Sequence, residues 1–499
     1  CVCWGAGAWG LYAVRPNSKW NGKAITERGP KGRALLWAFT TAVVLLCVLP
    51  MSLAPAWNGE KPEHRDQYEV MAESILQGRI DMAYDDTDPR LLAMENPYDP
   101  AARKALGVSF HWDHAFYNGH YYMYFGVVPV FLLFLPFRLL TGMALTTYHA
   151  TQVFTALFIV GLFRLFRFLA ERFFPSLPWA VYLSLSAGFS IMSTWVIVGM
   201  PALYCTAISA GICLEVWSLF FFAQAVWGGK GPGQSVGYGA LGGLLGALAF
   251  GCRPPVALAN LLAVPLLLYW LRGKKRCLAT AGQVALVILP YVVVGAALMA
   301  YNYARFENPF EFGQSYQLTI SDQSQYGSPL SRLDPVQLAK GLYHNFLWAA
   351  PLKDTFPYIW YSSVLVNFPI CVLGYLMVLR RGVWRGLVET RLTGFMAVLL
   401  LVPPLITVAQ VLMSPHLLER YRSDFYWLVG LFCFIAFGLF CHSLDGPAKK
   451  LWASLLSALG IVTTYQAFFL WCIPHDQNFT CYSPDALERI SKAICFGLC

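Results

Sequence analysis

The sequence predicts an all-α polytopic membrane protein with about eleven transmembrane helices and a long first outer loop that carries interfacial helices. Three observations predict it. Of 499 residues, 57% are hydrophobic and only 13% charged, whereas a soluble globular chain is about 45–50% apolar and about 25% charged. Aromatic residues reach 16%, with 17 Trp and 26 Tyr, and such rings favour the membrane–water boundary. Eleven stretches, at 34–54, 146–163, 178–199, 202–226, 235–252, 255–271, 279–301, 357–379, 392–413, 423–441 and 451–471, approach the ~20 largely apolar residues that a helix needs to cross a bilayer. The net charge of +9 does not point to nucleic acid, because the basic residues sit in small clusters between apolar runs, as charge that sets membrane orientation does.

Those clusters orient the chain. Lys19, Lys23, Arg28, Lys31 and Arg33 precede the first stretch. Short loops with Arg164, Arg167 and Arg172, with Lys230, with Arg272, Lys274, Lys275 and Arg276, with Arg380, Arg381 and Arg385, and with Lys449 and Lys450 then fall on the same side. The positive-inside rule makes that side cytoplasmic. The chain therefore divides into a cytoplasmic segment 1–33, a transmembrane module 34–301 with its outer loop 55–145, a second outer loop 302–356, C-terminal spans 357–471 and an outer tail 472–499. Residues 125–142 (FGVVPVFLLFLPFRLLTG) are expected to lie on the outer surface as an interfacial helix. The run is short, is broken by Pro129 and Pro136, and carries Arg138. Counting it as a span would invert every later basic loop. Most of the 14 Cys lie in apolar runs as small core residues. Cys472, Cys481, Cys495 and Cys499 gather in the tail, where one or two disulfides and an unpaired surface role are equally open. The chain opens on Cys1 rather than Met, which leaves its true start open, and 1–33 is too polar for a signal peptide.

The first outer loop far exceeds the ~12–15 residues beyond which loops are usually functional or disordered. From Asp66 to Gly78 it reads DQYEVMAESILQG. Tyr68, Met71, Ala72, Ile75 and Leu76 fall on one helical stripe, with Asp66, Glu69 and Glu73 opposite. The spacing predicts an amphipathic surface helix that ends at Gly78, its carboxylates turned away from lipid. A solvated acidic face is the plainer reading of the same spacing. Residues 111–126, HWDHAFYNGHYYMYFG, pack His111, Asp113, His114 and His120 among aromatic rings. They match no standard metal-ligand spacing and suit an interfacial loop or a sugar-binding surface. Arg253 lies at the outer turn between the fifth and sixth spans. Arg305 ends the seventh in YNYARFENPFEFG, and Arg420 and Arg422 open the tenth in ERYRSDF. An ionisable side chain at membrane depth costs ~2.5–3.5 kcal/mol and marks function unless it snorkels to the interface. Carboxylates and arginines gathered on one face suit a lipid phosphate arriving from the bilayer and a polar acceptor arriving from water.

These features resemble the GT-C superfamily of glycosyltransferases that use polyprenyl-phosphate sugars, near its protein O-mannosyltransferase and aminoarabinose transferase branch. The resemblance rests on Asp66, Tyr68 and the run to Gly78 after the first span, on the Pro-containing interfacial segment from Pro129 to Gly142, and on a following span that ends in the basic cluster Arg164 to Arg172. It covers roughly residues 34–310. Gln67 stands where many relatives have Glu, and Gly126-Val127-Val128-Pro129 replaces a common Lys-Pro-Pro. These departures leave sugar, acceptor and metal dependence open.

The resemblance implies inverting transfer of a sugar on the non-cytoplasmic face of a bacterial cytoplasmic membrane, with the N-terminus cytoplasmic. Its implied roles are Asp66 as general base, and Arg253, Arg305, Arg420 and Arg422 as ligands of the donor phosphate. Tyr68, Glu69, Asp113, His114 and Tyr121 would meet the acceptor or the sugar, with Glu69 orienting the acceptor or joining a metal site. No metal ligand is assigned from the sequence, no cofactor is certain, and a divalent metal stays open. The implied partners are a polyprenyl-phosphate-linked sugar, an unknown glycan, lipid or protein acceptor, and membrane lipids, with no nucleic acid. Three rival readings remain. A transporter or flippase of lipid-linked glycans or small molecules predicts mid-membrane charges and internal repeats. A glycan polymerase or ligase would use the 302–356 loop with Arg305, Arg332 and His344. A structural assembly protein would have no active site. The transferase reading expects Asp66 to face an outer cavity that at least one of the four arginines also lines.

Overall fold

The computed structural model describes residues 2–27, 29–52, 66–201, 203–272, 274–275, 277–327, 333–414, 417–473 and 484–494. Arg28, Arg276, Arg332, Cys481, Cys495 and Cys499 lie outside the described residues. In chain order, the helices and strands that matter here are α1 (Pro30–Met51), α2 (Gln67–Leu76), β1 (Ala115–Tyr117), β2 (His120–Tyr122) and α3 (Leu135–Thr141). They continue with α4 (Thr147–Phe173), α5 (Trp179–Gly199), α6 (Leu203–Trp227), α7 (Pro232–Phe250), α8 (Ala263–Leu271) and α9 (Leu278–Phe306). The last are α10 (Pro335–Phe346), α11 (Pro369–Met377), α12 (Thr393–Met413), α13 (Tyr426–His442) and α14 (Gly446–Trp471). The molecule is an all-α membrane protein. Among the described residues, its only sheet is the antiparallel hairpin β1–β2.

Seven of the expected spans are single helices long and apolar enough to cross a membrane: α1, α4, α5, α6, α9, α12 and α14. The other four take different forms. Residues 235–250 lie in α7, a glycine-rich helix of 19 residues, and 251–252 in the turn after it. Residues 255–271 split into a 3-10 segment, Val256–Leu262, and the short α8. Residues 357–379 contain only Val364–Asn367 and α11, separated at Phe368 before Pro369, where the residue before a proline is pushed out of helical conformation. Residues 423–441 become α13, which has 17 residues.

The body is built around α13 and α5. Nearly every residue of α13 is buried, from Tyr426 to Cys441, as expected for a helix that is apolar all round and enclosed on all sides. Helix α5 is almost as enclosed and packs most extensively on α14. Small residues make that crossing close. A Cβ on Gly188 would meet the Gly460 carbonyl oxygen at 2.7 Å, and one on Gly460 would meet the Ser184 carbonyl at 2.8 Å. Helix α9 is the opposite case. Leu286, Ile288, Leu289, Val292 and Val293 are exposed along it, a lipid-facing surface in a bilayer.

The outer loop lies over this body as a folded unit. The buried face of α2 holds Tyr68, Val70, Met71 and Ala72, and Tyr68 stacks on Phe134 at 5.1 Å between ring centroids. Glu73 and Arg138 approach to 3.5 Å and tie α2 to α3. A π-turn, Val130–Phe134, leads into α3. Together they would extend only about 18 Å at the α-helical rise, against a hydrocarbon core of about 30 Å. The β1–β2 hairpin turns at Asn118 (φ 49°) and Gly119 (φ 79°), residues that tolerate the left-handed conformation of a tight hairpin turn. The second outer loop closes on the hairpin: the Phe116 N–H donates to Tyr316 O and the Leu318 N–H to His114 O, each at 2.9 Å.

The α5–α14 crossing yields a stability prediction. Gly188→Leu should lower the unfolding free energy by about 1–3 kcal/mol through overpacking, read as a lower Tm in detergent. Gly282→Leu, at a position where an added Cβ would meet nothing within 4 Å, should not. Equal losses in both variants would remove the close crossing as a source of stability.

Candidate functional site

A cavity of about 600 Å³ lies where the outer loop meets the body, within the size range of small-ligand sites. Its walls come from the start of α6, the turn after α7, the end of α9, the end of α12 and the 3-10 turn Glu419–Asp424 before α13. Its lining includes four charged residues: Asp113, Arg253, Arg305 and Arg420. Segments more than 300 residues apart in sequence thus converge on one space (Asp113 to Arg420).

Each arginine is held differently. The Arg253 Nε donates to Asp424 Oδ1 at 2.7 Å, and Asp424 is fully buried. Gln410 on α12 donates to Asp424 Oδ2 at 2.7 Å and to the Tyr421 carbonyl at 2.8 Å. The turn that carries Arg253 is itself fixed from the outer loop, since the Val128 N–H donates to Gly251 O at 3.1 Å. A Cβ on Gly126 would overlap that same oxygen, so only glycine fits there. Arg305 ends α9. Its Nη1 donates to Met123 O at 2.8 Å and its Nη2 to Asn302 Oδ1 at 2.7 Å, and its buried Nε has no partner among the described residues. Arg420 lies over the Tyr204 ring, 4.1 Å from its centroid. Among the described residues, neither Arg305 nor Arg420 has a carboxylate within ion-pair distance.

Asp113 faces these cations and is pinned on every side. Its backbone is left-handed, φ 58°, a conformation Asp adopts more readily than most residues. Its N–H donates to Leu318 O at 2.9 Å, and its carbonyl accepts from Gln67 Nε2 at 2.8 Å. Its Oδ1 accepts from Gln317 Nε2 at 3.0 Å, and its Oδ2 accepts from the Tyr204 hydroxyl. The Gln67 Oε1 in turn accepts from the Tyr124 N–H at 3.1 Å. A glutamate at position 67 could not donate to Asp113 while accepting from Tyr124.

The remaining expected site residues lie elsewhere. Asp66 caps the start of α2 and is not among the residues lining the cavity. Its carboxylate accepts from the Thr147 hydroxyl, and burial pushes its pKa above the ordinary value against the effect of that bond. Tyr68 is fully buried in the aromatic stack, outside the lining. Glu69 is half-buried on α2, also outside it. His114 is buried behind the cavity wall. Its Nδ1 lies 2.9 Å from Trp112 O and its Nε2 2.9 Å from the Tyr84 hydroxyl, and burial depresses its pKa to about 4. Tyr121 is buried against Phe116 and Tyr84. Arg422 is wholly buried and points away from the cavity, with Nη1 donating to Ser362 O at 2.7 Å and Nε to Asn345 Oδ1 at 3.3 Å. Two residues apart on a tight turn, Arg420 and Arg422 have different tasks, because such neighbours do not share a face.

Sequence reasoning did not single out Tyr204, Gln410, Asp424, Gln317 or Gln323. A signal existed for two of them. Gln410 interrupts an apolar span, and Asp424 sits in the ERYRSDF segment, both instances of polar groups at membrane depth. Among the described residues, no group of three or more His, Cys, Asp and Glu side chains is placed to hold a metal ion.

No protein-family model and no curated protein sequence matches this chain. Among solved structures, it is similar to the archaeal oligosaccharyltransferase AglB from Archaeoglobus fulgidus in complex with an inhibitory peptide and a dolichol-phosphate. That likeness has 12% identity and a TM-score of 0.43, covering 86% of this chain and 55% of that one. The apo form of the Archaeoglobus fulgidus oligosaccharyltransferase is similar at 11% identity and a TM-score of 0.41, over 88% of this chain and 57% of that one. The chain thus spans a little over half the length of these proteins.

The supports of the site can be tested separately. Asp424→Ala leaves the Arg253 charge unpaired at the cavity wall, where its side chain is 17% exposed, and should cost at most about 3–5 kcal/mol, whereas the double variant Arg253→Met/Asp424→Leu should recover much of the loss. Additive losses in a double-mutant cycle would contradict the pairing. His114 is neutral when folded, and its depressed pKa makes the native state bind fewer protons than the unfolded state. Its contribution is complete above about pH 6.5 and should fade as pH falls toward about 4, by at most about 3 kcal/mol. Thermal unfolding against pH should show that slope in the native protein and a flatter one in His114→Gln.

Proposed function

We propose that this chain transfers a glycosyl group from a polyprenyl-phosphate carrier to an acceptor on the outer face of the membrane, with inversion at the anomeric carbon. One observation carries the reading: a single cavity combines one carboxylate, Asp113, with three guanidinium groups, two of which have no carboxylate partner among the described residues. An unpaired cation is costly where it is buried, as Arg305 is, while Arg420 is half-buried, and an anionic ligand offsets that cost. The buried, unpartnered Nε of Arg305 is a donor suited to a phosphate oxygen.

In this reading the acceptor hydroxyl or amine attacks the anomeric carbon as its bond to the phosphate oxygen breaks. Asp113 takes the acceptor's proton. Both side-chain neighbours of Asp113 donate to it, so they orient a carboxylate and leave lone pairs for that proton. Arg305 and Arg420 stabilise the charge that grows on the departing phosphate, and Arg253, held by Asp424, adds to the field. The phosphate is a good leaving group, so no general acid is needed. Asp113 replaces Asp66 as the proposed base because Asp113 shares the cavity with the arginines and Asp66 is engaged with Thr147. The short basic loops favour a cytoplasmic N-terminus, with the cavity on the outer face.

One observation favours the transporter reading. Glu215 is buried well inside α6 and accepts from Asn260 Nδ2 at 2.6 Å, while the Tyr291 hydroxyl donates to Asn260 Oδ1 at 2.6 Å. This cluster lies outside the cavity lining, and its bonds join α6, the 3-10 segment and α9. It therefore has a structural account as well.

The test is binding of undecaprenyl phosphate to the purified chain, read by native mass spectrometry. Arg305→Met and Arg420→Met should each weaken binding by about tenfold or more, in line with the loss of a charged hydrogen bond. Asp113→Asn should bind normally and lose glycosyl transfer in cells. Transfer lost in Asp66→Asn but retained in Asp113→Asn would return the base to Asp66. Lipid-phosphate binding unchanged in both arginine variants would end the transferase reading.

A further inference from the structure

The cavity has a second wall whose chemistry differs from that of the arginines. It is formed by the segment from Gln314 to Gln323 together with Trp112. Gln314, Gln317, Thr319, Ser321 and Gln323 all line the cavity, and no charged side chain from this segment joins them. Trp112 is 48% exposed, although it belongs to the outer loop rather than to a lipid-facing span. Its half-exposed indole lines the cavity.

Gln323 is the most informative member. It is only 7% exposed. Its Nε2 lies 2.9 Å from the Ser321 hydroxyl, and its buried Oε1 has no partner among the described residues. The amide could be assigned the other way round, because a serine hydroxyl both donates and accepts. Whichever way it lies, one end of a buried amide is left without a partner. A buried unpaired polar group costs about 1–3 kcal/mol, and a ligand hydroxyl, which donates and accepts, satisfies either end.

We propose that Trp112, Gln323 and Ser321 form a subsite for a neutral pyranose ring. A pyranose has an apolar C–H face and a rim of hydroxyls, and this wall offers a half-exposed indole beside neutral amides and hydroxyls. A peptide fits less well. The 113–118 segment has no free edge here for an added strand, because its backbone already pairs with 316–318 through Asp113 N–H to Leu318 O, Leu318 N–H to His114 O and Phe116 N–H to Tyr316 O. An anionic acceptor would find no cation on this wall. The inference rests on the glycosyl-transfer reading, and it adds that a sugar is bound here by stacking and neutral hydrogen bonds. That sugar is either the one carried by the lipid phosphate or one belonging to the acceptor.

The experiment is saturation-transfer NMR on the full chain in lipid nanodiscs, with methyl glycosides of gluco, galacto, manno and N-acetylgluco configuration and an uncharged hexapeptide as control. At least one glycoside should receive saturation. Trp112→Ala and Gln323→Leu should each weaken its binding by about tenfold while undecaprenyl phosphate binding stays unchanged, which shows that both variants remain folded. Competition separates the two sources. If the matching glycosyl 1-phosphate displaces the glycoside, the subsite takes the donor's sugar. If both bind together, it takes the acceptor's. Saturation of none of the four glycosides, saturation that ignores both substitutions, or saturation of the hexapeptide alone overturns the inference. Arg305-dependent lipid-phosphate binding would survive that result, so the subsite can fail while the transferase reading stands.

Discussion

The ion pair between Arg253 and Asp424 joins positions 171 residues apart, and the outer half of the molecule is arranged around it. Arg253 projects from the turn after α7, which the outer loop grips through Gly126 and Val128. Asp424 closes the turn before α13, the helix at the centre of the body. Gln410 holds the other carboxylate oxygen from α12. Removing one charge strands the other in a low-dielectric interior, whereas removing both need not destabilise. The pair is therefore better understood as a fixed positive pole in the cavity wall than as a source of stability. It holds one guanidinium still, as electrostatic stabilisation of a developing charge requires.

Asp113 is held by a complementary device. Backbone bonds to Leu318 and Gln67 fix its left-handed conformation, and Gln317 and Tyr204 fix its carboxylate. Tyr204 reaches both sides of the site, because its hydroxyl meets Asp113 while its ring carries Arg420. The carboxylate and that guanidinium are thus positioned by the same side chain. Gln67 connects this arrangement to the surface helix α2 and, through Tyr124, to the strip that leads to Gly126 and the Arg253 turn. A disturbance at α2 would reach Asp113 directly through Gln67, and the Arg253 turn through Tyr124.

The division of surfaces follows the same logic. Helix α9 turns an apolar face outward along most of its length and ends at Arg305 in the cavity. The opposite wall, from Trp112 to Gln323, is neutral and polar, and meets water at Trp112 and Ile320. One cavity thus joins a cationic lining to a neutral polar one.

Composition by itself determined that this is a helical membrane protein, because burial in lipid demands long apolar helices. The surface helix from Gln67 was legible because Tyr68, Met71, Ala72, Ile75 and Leu76 share one helical stripe, although the structure leaves Leu76 exposed and buries Val70. Arg253, Arg305 and Arg420 were legible as charges at the edges of apolar runs, where a cation is conspicuous. What the chain alone could not convey is which carboxylate meets them. Asp66 stands in the more recognisable motif, yet Asp113 is the one in the cavity, and Arg422 belongs to a structural clamp although it lies two residues from Arg420. Those outcomes depend on contacts between segments hundreds of residues apart, on the hairpin turning at Asn118 and on loop 313–323 folding over it. Local periodicity records which face of a helix is apolar; only the packing of those faces decides which polar groups are enclosed together.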